Sequence, residues 1–192
     1  MITQTRFRVL VVDDDKDILD MINITLSPSF EVLTLQESVD ALEIIDVFEP
    51  DILIVDIMMP KVTGYQIIEL MRQNPRHQHV IVVVLSAKDS SRDIKYGYKL
   101  GANLYLTKPF QPDRLLKNIQ MLATGLGKPR PKSYSLRDVQ LRLQLLATKK
   151  FATPTTDPNV TPTPPDVSSS SFRLRRPLAQ EADEQEKKKW VD

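Results

Sequence analysis

The stretch DILIVDIMMPKVTG, residues 51–64, decides how the rest of the chain is read. Ile52 to Val55 form a continuous apolar run, and a single carboxylate, Asp56, stands at its end. Such a run is too apolar for a half-exposed strand and suits one covered on both faces. A charge beside a buried strand is costly unless a metal, a cation or a reaction compensates it. The residues that answer Asp56 must come from elsewhere in the chain.

Similar short apolar runs flank this one at 7–12, 30–35, 80–85 and 103–106. Amphipathic stretches alternate with them at 16–26, 38–48, 65–74, 91–100 and 112–123. Ser27-Pro28, Pro50, Pro75 and Gly101 stop four of these helices, as residues that end or follow helices do. Five βα units with right-handed crossovers predict an open, doubly wound α/β domain with a parallel sheet. In that architecture the functional crevice lies outside the carboxyl ends of the strands.

The chain has 192 residues, 41% of them hydrophobic, enough for one ordinary domain and an appendage. It has no Cys, which excludes disulfides, thiolate metal sites and a cysteine nucleophile. MITQTRFRV lacks the apolar core of a signal peptide, and no run reaches membrane-spanning length, so a cytoplasmic protein is expected. Up to Gly125 there are 13 Lys/Arg against 17 Asp/Glu, and beyond it 13 against 8. The tail is thus mildly basic, a character that ordinary solvation of a disordered segment explains.

Three regions follow: a domain at 1–125, a linker with an amphipathic helix at 126–151, and a tail at 152–192. Leu136, Val139, Leu143 and Leu146 recur at helical spacing, and Ser135 with Asp138 has the pattern of a capping box. The Pro/Thr/Ser-rich stretch 152–171 is expected to be disordered, with a marginal short helix after it.

Reading the residue after each strand gathers the polar groups. Strand 1 ends in Asp13-Asp14-Asp15, strand 3 in Asp56, strand 4 in Ser86 and strand 5 in Thr107-Lys108. Each is commonplace alone, and Asp15 reads equally well as a helix cap; their convergence in one crevice is the informative point. Clustered carboxylates repel unless a hard cation or an ammonium joins them. Oxygen ligands without Cys or His suit Mg²⁺. A carboxylate can also act as nucleophile and form an aspartyl phosphate, with Mg²⁺ and Lys108 facing the phosphoryl oxygens. His77 and His79 read as a solvated loop, and Gly97 lies inside the fourth helix, where close packing or looseness explains it equally.

VLVVDDD, DILIVDIMMPKVTG, VVVLSA and LTKPF, in this order and spacing, resemble the receiver domain of two-component response regulators over about residues 6–125. The resemblance implies a flavodoxin-like five-stranded sheet of order 2-1-3-4-5 with five helices. It implies that Asp56 is phosphorylated by a histidine kinase or phosphotransfer protein. Asp13, Asp14, Asp56 and the backbone carbonyl of Met58 would hold Mg²⁺. Lys108, joined by a cis bond to Pro109, would pair with the carboxylate or phosphoryl group. Ser86 and Tyr105 would be the hydroxyl and the aromatic that move, while Pro60 and Gly64 shape the loop. Output would be read on the fourth helix, fifth strand and fifth helix, or on the C-terminal helix. Self-phosphorylation and autodephosphorylation with Mg²⁺ would be the only catalysis.

The chain departs from the family at Asn103 and Leu104, where two acids often support a salt-bridged dimer. Met58 and Lys88 occupy positions that tune phosphate lifetime, and neither is a water-orienting acid, so an unusually short lifetime is not expected. The competing functions are a non-switching, receiver-like scaffold acting through its tail and a DNA-binding regulator using the basic tail. A single amphipathic helix without a second at turn spacing supports no helix-turn-helix, so specific nucleic-acid binding is not expected.

Overall fold

The computed structural model describes residues 6–151, with side chains to 148. The expected disorder at 152–171 and the helix after it lie outside the described residues. Five parallel strands, β1 (Arg8–Val12), β2 (Glu31–Leu35), β3 (Ile52–Asp56), β4 (Ile81–Ser86) and β5 (Leu104–Thr107), form one sheet in the order β2-β1-β3-β4-β5. The helices are α1 (Lys16–Leu26), α2 (Ala41–Phe48), α3 (Gly64–Gln73), α4 (Ser91–Lys99), α5 (Pro112–Leu126) and α6 (Leu136–Phe151). No helix among the described residues is long and apolar enough to cross a membrane.

The period of two along each central strand divides the core into two layers. Leu10, Val12, Leu53, Val55, Val82 and Val84 join α2 and α3 on one face. Val9, Val11, Ile52, Ile54, Val83 and Leu85 join α1 and α5 on the other. β1, β3 and β4 are almost wholly buried, whereas edge strand β2 is mostly half-buried. Helix starts follow local chemistry. Asp15 accepts from the amides of Asp17 and Ile18, Thr63 and Gln66 form a capping box, and Ser90 accepts from Asp93.

α6 belongs to the same compact unit as the sheet. The Ser135–Asp138 capping box is formed as the spacing predicts. Val139 and Leu146, 2% and 8% exposed, enter the buried cluster that includes Ile44, Ile45 and Phe48 of α2, and Leu143 packs on it. Leu136, the fourth member of the expected stripe, is exposed. The linker before α6 is fixed at the amino ends of the strands. Lys132 Nζ meets Asp51 Oδ1 at 2.6 Å and donates to the Glu49 carbonyl at 2.8 Å. Ser133 N donates to Glu49 Oε2 at 2.6 Å, and Arg142 pairs with Glu43 on α2.

The solvated His-x-His loop is not what forms. His77 is buried, with Nε2 2.5 Å from Asp46 Oδ1. Pro75 starts a 3-10 turn there, and His77, the last residue of that turn, meets Asp46 of α2. Burial, then the charges of Arg130 and Lys132, hold the His79 imidazole below its ordinary pKa.

Candidate phosphoacceptor site

At the opposite, carboxyl ends of the strands the sheet order makes β1, β3, β4 and β5 consecutive, so the residues that follow them converge. Asp13 and Ser86 are 0% exposed and Asp56 6%. Lys108 Nζ bridges the two buried acids, 2.7 Å from Asp13 Oδ2 and 2.8 Å from Asp56 Oδ2. The cation that Asp56 needs thus comes from 52 residues further along the chain. The backbone holds this lysine beside β4, since Lys108 N donates to the Ser86 carbonyl at 2.8 Å. The Lys108–Pro109 peptide is cis.

The remaining carboxylate oxygens of the buried acids face amides. Asp15 N donates to Asp13 Oδ1 at 3.0 Å and Met58 N to Asp56 Oδ1 at 3.1 Å. Burial pushes the Asp13 carboxyl above its usual range, and the hydrogen bonds from Lys108 and Asp15 only partly offset it. Burial also works against the Lys108 ammonium, but hydrogen bonds and charge from Asp13 and Asp56 outweigh it and raise its pKa. The lysine is therefore held charged between two acids.

Asp14 is exposed, and its carboxylate completes a group with Asp13 and Asp56 whose ligand atoms lie within 4.8 Å of one another. Among the described residues no other group of three acids or histidines is gathered tightly enough to share a cation. One ammonium against three carboxylates leaves a negative excess that an oxygen-seeking divalent cation fits. The Met58 side chain is exposed, and its amide, rather than its carbonyl, is the group already engaged at Asp56.

The loop after β3 is shaped by close approach. A Cβ on Gly64 would stand 2.1 Å from the Asp56 carbonyl oxygen, so no other residue fits without a shift. The Pro60 carbonyl accepts from Ser38 Oγ at 2.8 Å, and Lys61 takes a positive φ of 68°. On the β4 side, Ser86 Oγ accepts from Lys88 N at 3.0 Å. Tyr105 lies turned inward on α4, its hydroxyl donating to the Lys88 carbonyl at 2.9 Å. Gly97 packs against that ring, where an added Cβ would meet Tyr105 Cδ2 at 3.1 Å, the contact that its close-packing reading requires.

The structure thus gathers Asp13, Asp14, Asp56, Ser86 and Lys108, and links Tyr105 to the loop after Ser86. Arg8, Asp51 and Lys132 were not singled out from the sequence. The signal was present, because Asp51 and Arg8 are charges flanking or entering apolar runs just as Asp56 does.

A family model described as the response regulator receiver domain matches residues 9–120. Protein PilG of Pseudomonas aeruginosa is 38% identical over 114 residues, 59% of this chain and 84% of PilG. The alkaline phosphatase synthesis transcriptional regulatory protein PhoP of Bacillus subtilis is 34% identical over 106 residues, 55% of this chain. The chain covers 43% of PhoP, so it spans less than half the length of that relative. Among solved structures, the chemotaxis response regulator CheY4 of Vibrio cholerae superposes with a TM-score of 0.58 at 31% identity, covering 62% of this chain and 99% of CheY4. With strand order, lysine bridge and acidic pocket all in place, the chain belongs to the family of response regulator receiver domains of two-component signalling.

Proposed function

We propose that Asp56 accepts a phosphoryl group from a phosphohistidine of a histidine kinase or phosphotransfer protein, and that the chain signals through phosphorylation-dependent protein contacts. The observation that carries this reading is the Asp13–Lys108–Asp56 bridge, which presents the Asp56 carboxyl group beside a fixed ammonium. An Asp56 oxygen attacks phosphorus, the phosphorus–nitrogen bond breaks, and the imidazole leaves with the electron pair. Lys108 is placed to turn from Asp56 toward the incoming phosphoryl oxygens while keeping Asp13. Asp13, Asp14, Asp56 and the Met58 carbonyl would hold Mg²⁺, which when bound neutralises charge on the phosphoryl oxygens.

The aspartyl phosphate carries nearly two negative charges in place of the carboxylate's one, and offers three acceptor oxygens. Ser86 Oγ, now engaged with Lys88 N, gains a better partner, and the 86–90 loop is drawn toward it. Tyr105 follows that loop through its bond to the Lys88 carbonyl, so the α4–β5–α5 face responds. Residues 1–125 serve as the phosphoacceptor, and 126–151 as an extension resting on it.

The test is intact-mass analysis after incubation with acetyl phosphate, with and without Mg²⁺, beside Asp56→Asn. A single phosphoryl mass requiring both Mg²⁺ and Asp56 is expected. Absence of any adduct from acetyl phosphate and from phosphoramidate would sink the reading.

A further inference from the structure

One face of α4 carries a different pattern from the site itself. Arg92, Lys95, Tyr96 and Lys99 fall on one side of the helix at one-turn spacing, all exposed. With Tyr65 of α3 and Asp93 they line an open groove of about 470 Å³ between α3 and α4. None of the three cations pairs with a carboxylate among the described residues. The acid in the groove is already engaged, since Asp93 Oδ2 accepts from Ser90 Oγ at 2.5 Å and Oδ1 lies 4.0 Å from Lys88 Nζ. The wall is aromatic, with Tyr65 and Tyr96 in an edge-to-face pair at 4.9 Å, and Tyr96 is 45% exposed.

We infer that this α3–α4 groove docks an acidic helical segment of a partner protein. Arg92 to Lys99 spans about 10 Å along the helix axis at 1.5 Å per residue, matching carboxylates placed a turn apart on a second helix. The tyrosine pair offers an apolar floor between the charges. The occupant is an acidic peptide rather than nucleic acid, because the cations are three and local, while the sequence up to Gly125 is net negative and repels a polyanion at longer range.

The groove is tied to the acceptor site, so the inference rests on the function proposed above and extends it to the partner's chemistry. Tyr65 Oη donates to the Asp93 carbonyl at 3.1 Å, and Tyr105 Oη to the Lys88 carbonyl at 2.9 Å. Both bonds land on the loop and first turn that follow Ser86, so a shift of that loop moves the groove's rim. Affinity for the segment therefore differs between the free and phosphorylated chain.

The experiment titrates the full chain with a synthetic Glu-rich helical peptide of about 15 residues, a length at which isolated helices begin to hold. A peptide with Gln in place of each Glu and a random DNA duplex serve as controls, and anisotropy reads binding before and after acetyl phosphate. The Glu peptide is expected to bind about tenfold more tightly than the Gln peptide, an advantage that the triple variant Arg92→Gln, Lys95→Gln, Lys99→Gln removes. Added salt should weaken it. Equal binding of the two peptides, or an undiminished triple variant, overturns the inference. So does DNA binding tighter than the peptide's and lost in the triple variant. Intact mass on the same samples separates the two readings. A phosphorylated chain that ignores the peptide sinks the groove alone. A chain that selects the peptide but takes no phosphoryl sinks the acceptor reading alone.

Discussion

Asp51 and Asp56 bracket the same apolar strand, and each meets a lysine from a later segment. Their surroundings separate their uses. Asp51 is closed off by Lys132 and by the Arg8 amide at 2.8 Å, whereas Asp56 opens onto Asp14 and the site rim. Close approach makes an equally local prediction about two glycines. Gly64→Ala should lower stability by about 1–3 kcal/mol in urea unfolding and slow acetyl-phosphate labelling, because its Cβ would strike the Asp56 carbonyl. Gly125→Ala, with nothing within 4 Å and a position late in α5, should leave labelling alone and raise stability by about 0.5–1 kcal/mol. Asp56, Lys108 and Ser86 were legible because each follows an apolar run, where polarity is unexpected. Arg8 was less so, since it sits at a strand's first position. There a snorkelling arginine and a clamping one look alike in sequence.

At the scale of elements, helices and strands were readable to within a residue or two, except that α2 starts three residues late, after a 3-10 turn at Ser38–Asp40, and α5 runs three residues further, to Leu126. The docking of α6 was not, because a stripe of Val and Leu says only that a helix must cover something. What it covers is α2, chosen by the Lys132–Asp51, Ser133–Glu49 and Arg142–Glu43 contacts that no local pattern announces. Leu146→Ala should cost about 2 kcal/mol in unfolding and speed hydrogen exchange across α6. The docking also carries a pH signature. Burial raises the Glu49 carboxyl, but the Ser133 hydrogen bonds and the charges of Lys132 and Arg76 outweigh it, so its pKa is lowered. Bonds from Ser135 lower that of Asp138. A depressed carboxyl contributes above its unfolded pKa, and that contribution is lost as pH falls through the folded value. Docking should therefore hold at neutral pH and loosen below the usual carboxylate range, read from the Ser133 and Ser135 amide shifts. Asp13 is shifted the other way, so a global unfolding curve would blend the two signs.

Across the whole molecule the sheet keeps its two ends apart. Acid chemistry gathers at the carboxyl ends, and the ionic clamp of Arg8, Asp51 and Lys132 at the amino ends. Arg8 joins that clamp by pairing with Glu31 and donating to the Phe48 and Tyr134 carbonyls at 3.0 and 3.2 Å. The separation predicts that Lys132→Met, which strips a buried carboxylate of its cation, costs about 2–4 kcal/mol of stability. The same variant should label at Asp56 within about twofold of the parent, because in-line transfer depends on groups at the far end. The covering of α2 also has a practical side at the bench. A protein cut back to the receiver match and ended near Leu126 would bare an apolar stripe that the longer chain keeps inside, and such stripes recruit copies of themselves. Dimers of the trimmed protein would then be a product of the scissors, and a kinase assayed against it would meet a helix face that the longer chain keeps covered.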